Sequence, residues 1–146
     1  MATHFPKQLV GVVDGTLVPA ALASGAEIGA ATRVSILSKV TGTAWASGDT
    51  IPLGKKPAGH KVTSVKLATG TSLATSTIDV GTAADPDKYV DGATLTTVDR
   101  LTEIGVIAAT LDDDPGGEED LIATVGVATI EAGTVLSFIV ETTGVN

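Results

Sequence analysis

The stretch Ser76-Thr77-Ile78-Asp79-Val80-Gly81-Thr82-Ala83-Ala84-Asp85-Pro86-Asp87-Lys88-Tyr89 decides how this chain is read. Thr77 and Asp79 alternate with Ile78 and Val80. That period of two places polar side chains on one face of a strand and apolar ones on the other. Asp85-Pro86-Asp87 then predicts a turn, because proline fixes φ and aspartate side chains bond nearby backbone. A strand with one wet face that runs into a turn is a unit of antiparallel sheet.

The same alternation recurs on both sides of this stretch. Arg33 to Val40 reads as a strand, and Ala44-Trp45-Ala46 continues the pattern weakly. Asp49 to Leu53 reads as an edge strand, since Pro52 has no N–H to give a ladder. A turn over Lys55 to Gly59 leads into His60 to Thr69, where Val62 is out of phase with Val65 and Leu67. That slip predicts a β-bulge near Thr63 and Ser64. Gly70-Thr71-Ser72 turns the chain into the Ser76 stretch. Three longer strands follow, Leu101 to Leu111, Glu118 to Thr129 and Gly133 to Thr143, the last two joined as a hairpin through Glu131-Ala132-Gly133. About eight strands at this spacing predict an all-β chain, an antiparallel β-sandwich of jelly-roll-like form.

Composition agrees. The chain has 146 residues, the size of one domain, and is 43% hydrophobic but only 3% aromatic. Thr, Val and Ile make up roughly a third of it, and these β-branched residues favour a pleated surface. Residues 1–31 differ: Pro6, Gly11, Gly15, Pro19, Gly25 and Gly29 leave only short extended pieces. They are expected to form an N-terminal arm, with residues 32–146 as the sandwich. The competing reading is an Ala-rich helix from Val18 to Ala31, against which Gly25 and Gly29 each cost about 1 kcal/mol.

A net charge of −8 argues against nucleic-acid binding, which is driven by Lys and Arg displacing counterions. No apolar run approaches the ~18 residues of a membrane span, and the start lacks the layout of a signal peptide. With no cysteine, disulfide and thiolate frameworks are excluded. Asp112 to Asp120 holds six carboxylates in nine residues, but without the spacing or fixed glycine of a calcium loop it reads as a solvated hairpin tip. Asp79, Asp85, Asp87 and Asp91 read as turn formers rather than an acid–base pair. His4 and His60 stand beside no other ligand and read as exposed polar positions. Gly11-Val12-Val13-Asp14-Gly15 lacks the spacing of a dinucleotide loop. Trp45 reads as a plug at one end of the sandwich rather than a ligand platform. No nucleophile, base and orienter can be assembled, so the chain reads as a non-enzyme with no catalytic residue, cofactor or metal.

From Arg33 onward the chain resembles the decoration, or cement, proteins of tailed-bacteriophage capsids. The resemblance rests on Ile51-Pro52-Leu53-Gly54, Pro57-Ala58-Gly59, Thr77-Ile78-Asp79-Val80-Gly81-Thr82-Ala83, Asp87-Lys88-Tyr89 and the tail Phe138-Ile139-Val140-Glu141. It implies a virion protein made in the host cytoplasm that binds the major capsid protein on the outer head surface and stabilises the shell, often as a homotrimer. In that role the arm would contact neighbouring subunits through Phe5, Leu9, Val10, Val12, Val13, Leu17 and Val18. The alternative is a head or tail appendage that binds a host receptor or glycan, for which Phe5, Trp45, Tyr89 and Phe138 supply few aromatics.

Overall fold

Alternation becomes eight strands in the computed structural model, which describes residues 31–111 and 115–145. They are β1 (Ala31–Val40), β2 (Thr50–Lys56), β3 (His60–Thr69), β4 (Thr77–Gly81), β5 (Val90–Ala93), β6 (Thr102–Glu103), β7 (Glu119–Gly126) and β8 (Leu136–Val145). One helical turn, α1 (Ala108–Leu111), is the only helix among the described residues. Residues 1–30 of the expected arm, with its seven contact residues, the competing helix up to residue 30 and His4, lie outside the described residues, and Ala31 opens β1.

The strands form two four-stranded sheets, ordered β1-β8-β3-β6 and β2-β7-β4-β5, with every pairing antiparallel. The first strand pairs with the last, the second with the last but one, the third with β6, and β4 with β5. Successive pairs alternate between sheets, which makes the sandwich a jelly roll.

Inward residues of both sheets fill the space between them: Ile51 and Leu53 of β2, Val62, Val65 and Leu67 of β3, Ile78 and Val80 of β4, Leu121, Ala123 and Val125 of β7, and Leu136, Phe138 and Val140 of β8. Phe138 is 1% exposed, and truncating such a ring costs about 3–5 kcal/mol. Val62 and Val65 both point inward because the ladder with β8 shifts between Val62 and Ser64, the bulge that the phase slip predicts. β2 is an edge strand, as Pro52 requires, and its own register shifts between Pro52 and Gly54. Gly54 adopts φ +135, and a Cβ there would lie 2.8 Å from Ile36 Cγ2, so a side chain would block the approach of β2 to β1.

Three expectations fail. Leu101 to Leu111 is not a long strand: only Thr102 and Glu103 pair with β3, Gly105 turns the backbone at φ 91, and α1 follows. Ile104 and Val106 instead pack against the core from a loop. β7 and β8 are not a hairpin, because β7 lies between β2 and β4 in one sheet while β8 lies between β1 and β3 in the other. The segment through Glu131-Ala132-Gly133 therefore crosses between sheets. His60 is not exposed either, for reasons given below.

Candidate functional site

The tight turn Pro57-Ala58-Gly59 brings the end of β2 and the start of β3 together at one end of the roll. Lys56 points inward there and is the largest fully buried side chain. Its Nζ donates to three carbonyls, His60 O at 2.9 Å, Pro115 O at 2.7 Å and Gly117 O at 2.9 Å. An ammonium has three protons, so all are taken. Glu119 Oε2 stands 4.0 Å from Nζ. Burial pushes the Lys56 pKa below its ordinary value; Glu119 opposes the shift and Lys88 reinforces it.

Glu119 in turn accepts from Lys88 Nζ at 2.7 Å and from Tyr89 Oη at 2.5 Å. Burial raises its pKa, but the hydrogen bonds from Lys88 and Tyr89 and the charges of Lys88 and Lys56 outweigh that and hold it below the usual carboxylate value. The Lys88 ammonium also lies 5.2 Å from the Tyr89 ring centroid. His60 is 6% exposed. Its ring occupies the space over Gly144, where a Cβ would come within 2.2 Å of Cδ2. Thr142 Oγ1 donates to Val34 O at 3.3 Å, which assigns it as acceptor for the His60 Nδ1–H at 3.0 Å. His60 is thus a satisfied core residue.

The cavity lined by Lys56, His60, Lys88, Tyr89 and Glu119 measures about 60 Å³, far below the ~300 Å³ at which substrate pockets begin. The cluster ties the segment from Pro115 onward to the sheets. Of the acidic run read as a solvated hairpin tip, Glu118 and Asp120 are exposed and Glu119 is drawn inward. Residues 112–114 lie outside the described residues, Pro115 and Gly117 are gripped by Lys56, Glu118 pairs with Lys55 at 2.9 Å, and Glu119 opens β7. Among the described residues no group of three acidic or histidine side chains is placed to hold a metal.

Of the aspartates around Tyr89, Asp79 bonds the backbone through its carboxylate, whereas Asp85 closes its turn through its main-chain carbonyl. Asp79 accepts from Gly92 N at 2.6 Å, and the Asp85 carbonyl accepts from Thr82 N at 2.9 Å and Lys88 N at 3.3 Å. A hydrogen bond with Asp87 raises the Asp85 pKa. The side-chain acceptor that closes the loop is Thr82 Oγ1, 3.2 Å from Asp85 N, rather than an aspartate.

The opposite end gathers four loops, 41–49, 70–76, 94–101 and 127–135. Only Asp49, Asp99, Arg100 and Glu131 are charged there. All three non-glycine residues with positive φ among the described residues, Ala74, Asp99 and Val127, belong to these loops. Val127 is 74% exposed at φ 64, and Val98 and Leu101 are exposed in the 94–101 loop. Trp45 packs half-buried against the core there and exchanges two backbone bonds with Ile130, as a plug would. Sequence reasoning missed Lys56 and Glu119, whose partners are far along the chain. It also missed Leu37, whose only local signal is that Ile36-Leu37 interrupts the alternation of β1.

No protein-family model and no curated protein matches this chain. Its fold is shared with a chain of the capsid of Ralstonia phage GP4 at a TM-score of 0.60 and 20% identity, over 81% of this chain and 86% of that one. A chain of the cyanophage Pam1 capsid asymmetric unit matches at 0.55 and 16% identity, over 80% and 85%. The eight-strand roll built here is a fold found in phage capsids.

Proposed function

We propose that this chain is a non-enzymatic structural protein of a phage virion, and specifically a decoration protein that binds the major capsid protein on the outer head surface as a homotrimer. The observation that carries the reading is the fold shared with two phage capsid chains over about four-fifths of the chain. Two features of the molecule support it. The described interior is a packed aliphatic core, and its one cluster of buried ionisable groups is saturated by its own hydrogen bonds. In this reading residues 1–31 form an arm that contacts neighbouring subunits through Phe5, Leu9, Val10, Val12, Val13, Leu17 and Val18.

The test is addition of the purified chain to expanded heads of its phage that lack it. Saturable binding at a fixed ratio to the major capsid protein, with heads that then resist heat, is the expected result. Absence of binding would sink the reading. Mass in solution before and after binding checks the trimer.

A further inference from the structure

The outer face of the first sheet differs in charge from the rest of the molecule. Register and burial place Arg33, Ser35, Leu37 and Lys39 of β1 on it, beside Thr143, Glu141, Ile139 and Ser137 of β8. Lys61, Ser64, Lys66 and Ala68 of β3 continue the rows, with Glu103 of β6 beyond. Four of the chain's nine basic residues therefore share this face with two of its seventeen acidic ones. Both carboxylates are already engaged: Glu141 pairs with Lys66 at 3.1 Å, and Glu103 accepts from Ser64 Oγ at 2.6 Å and Val65 N at 3.1 Å. Arg33 and Lys39 make no ion pair among the described residues.

Between those two cations lies Leu37, 73% exposed, directly opposite Ile139. Shallow depressions flank the pair, one of about 310 Å³ by Arg33, Ser35 and Ser64 and one of about 320 Å³ by Lys39, Ala68 and Asp99. The second sheet's outer face is the reverse, with Asp79 and Asp120 against Lys55 around Thr50, Pro52 and Thr124. An apolar centre flanked by Arg33 and Lys39, which make no ion pair among the described residues, in a chain of net charge −8, is the layout of a docking surface steered by opposite charge.

We infer that the outer face of the first sheet, centred on Leu37 and Ile139 and flanked by Arg33 and Lys39, docks onto an acidic, partly apolar protein surface. With the proposed function this deepens the reading: the acidic surface is that of the head shell, and the inference rests on that reading for the partner's identity. Twofold pairing of this face with itself is disfavoured, since both copies would present the same cations; a second copy docking through another face is an outcome of the test below. The plainer role for Arg33 and Lys39 is to guard the edge strand β1 against pairing with other strands. That role predicts effects on solubility and not on head binding.

The full-length chain is titrated onto expanded heads in low salt as wild type, as Arg33→Glu/Lys39→Glu, and as Thr50→Glu on the opposite face. Wild type and Thr50→Glu should bind alike, and the double reversal about tenfold or more weakly, with wild-type binding also falling as salt rises. A double variant that melts like wild type yet binds equally well overturns the surface but leaves the proposed function standing. Wild type that does not bind overturns both. Should the double variant fail to fold, Leu37→p-benzoylphenylalanine decides: photo-adducts to an Asp- or Glu-rich segment of the shell support the surface. Adducts confined to a second copy or to the chain's own residues 1–30 overturn it.

Discussion

At the Lys56 end of the roll, loops are held by buried charge; at the opposite end they are held by backbone bonds and by uncharged hydroxyls such as Ser76 Oγ, which donates to Thr129 O at 3.3 Å. The Lys56 ammonium grips three carbonyls, and the Glu119 carboxylate gathers Lys88 and Tyr89. The four opposite loops rely on bonds such as Leu73 N to Leu95 O at 2.8 Å, Gly133 N to Gly42 O at 2.9 Å and the Trp45–Ile130 exchange. They also carry every strained non-glycine residue described. Burying charge is costly, but once each donor is satisfied the geometry becomes unique. Val127, exposed at φ 64, persists because the residues on either side of it are fixed, Gly126 in the ladder with Thr77 and Ala128 by its bond to Gly126 O at 2.8 Å.

The largest break in this contrast should come from Lys56→Met, which leaves three inward carbonyls without a donor. Denaturant unfolding should show a loss of about 3 kcal/mol. Hydrogen exchange should rise first around Pro115 to Glu119. A loss below about 1 kcal/mol would mean that the cluster does not hold that end.

Acid should act on the same end. The Glu119 carboxyl titrates lower in the folded chain than in the unfolded one, so its stabilisation is complete above the usual carboxylate value of about 4.3. It fades as pH falls through Glu119's own lower value. Wild type should therefore melt higher than Glu119→Gln at neutral pH, and the gap in Tm should close in acid. A gap that is constant with pH would show that the charge of Glu119 contributes nothing.

Little of this was legible locally. Alternation located β1, β3, β4, β7 and β8, Pro52 marked an edge, and the Val62 slip marked a bulge, because each is written in adjacent residues. Which sheet a strand joins is not: β7 and β8 look like hairpin partners because a short segment separates them, yet each is paired with strands distant in sequence. His60 was misread for the same reason, since what buries it is Gly144 and Thr142 on β8. β5 and β6 were missed because four and two residues are too short to show a period.

The strained end offers a smaller effect of opposite sign. Val127→Gly removes a β-branched residue from the left-handed region and should stabilise the chain by about 1 kcal/mol, read from thermal unfolding. A destabilised variant would mean that the Val127 side chain makes a contact the loops depend on. Smallest of all, Lys55→Ala should leave Tm unchanged, because its pairs with Glu118 and Asp120 are solvent-exposed. A clear drop would extend the charged anchor from the interior to the surface.

The pairing of first strand with last also governs how the molecule comes into being. β8 is the middle partner of both β1 and β3, yet it is the last of the eight strands to leave the ribosome. Until it emerges, β1 has no neighbour in its sheet and β3 lacks its longest ladder. Closure of the first sheet therefore waits for β8, and contacts this distant in sequence make folding slow. Edge strands stay open during that wait, so yield in the cell should respond to chaperone supply and to growth temperature.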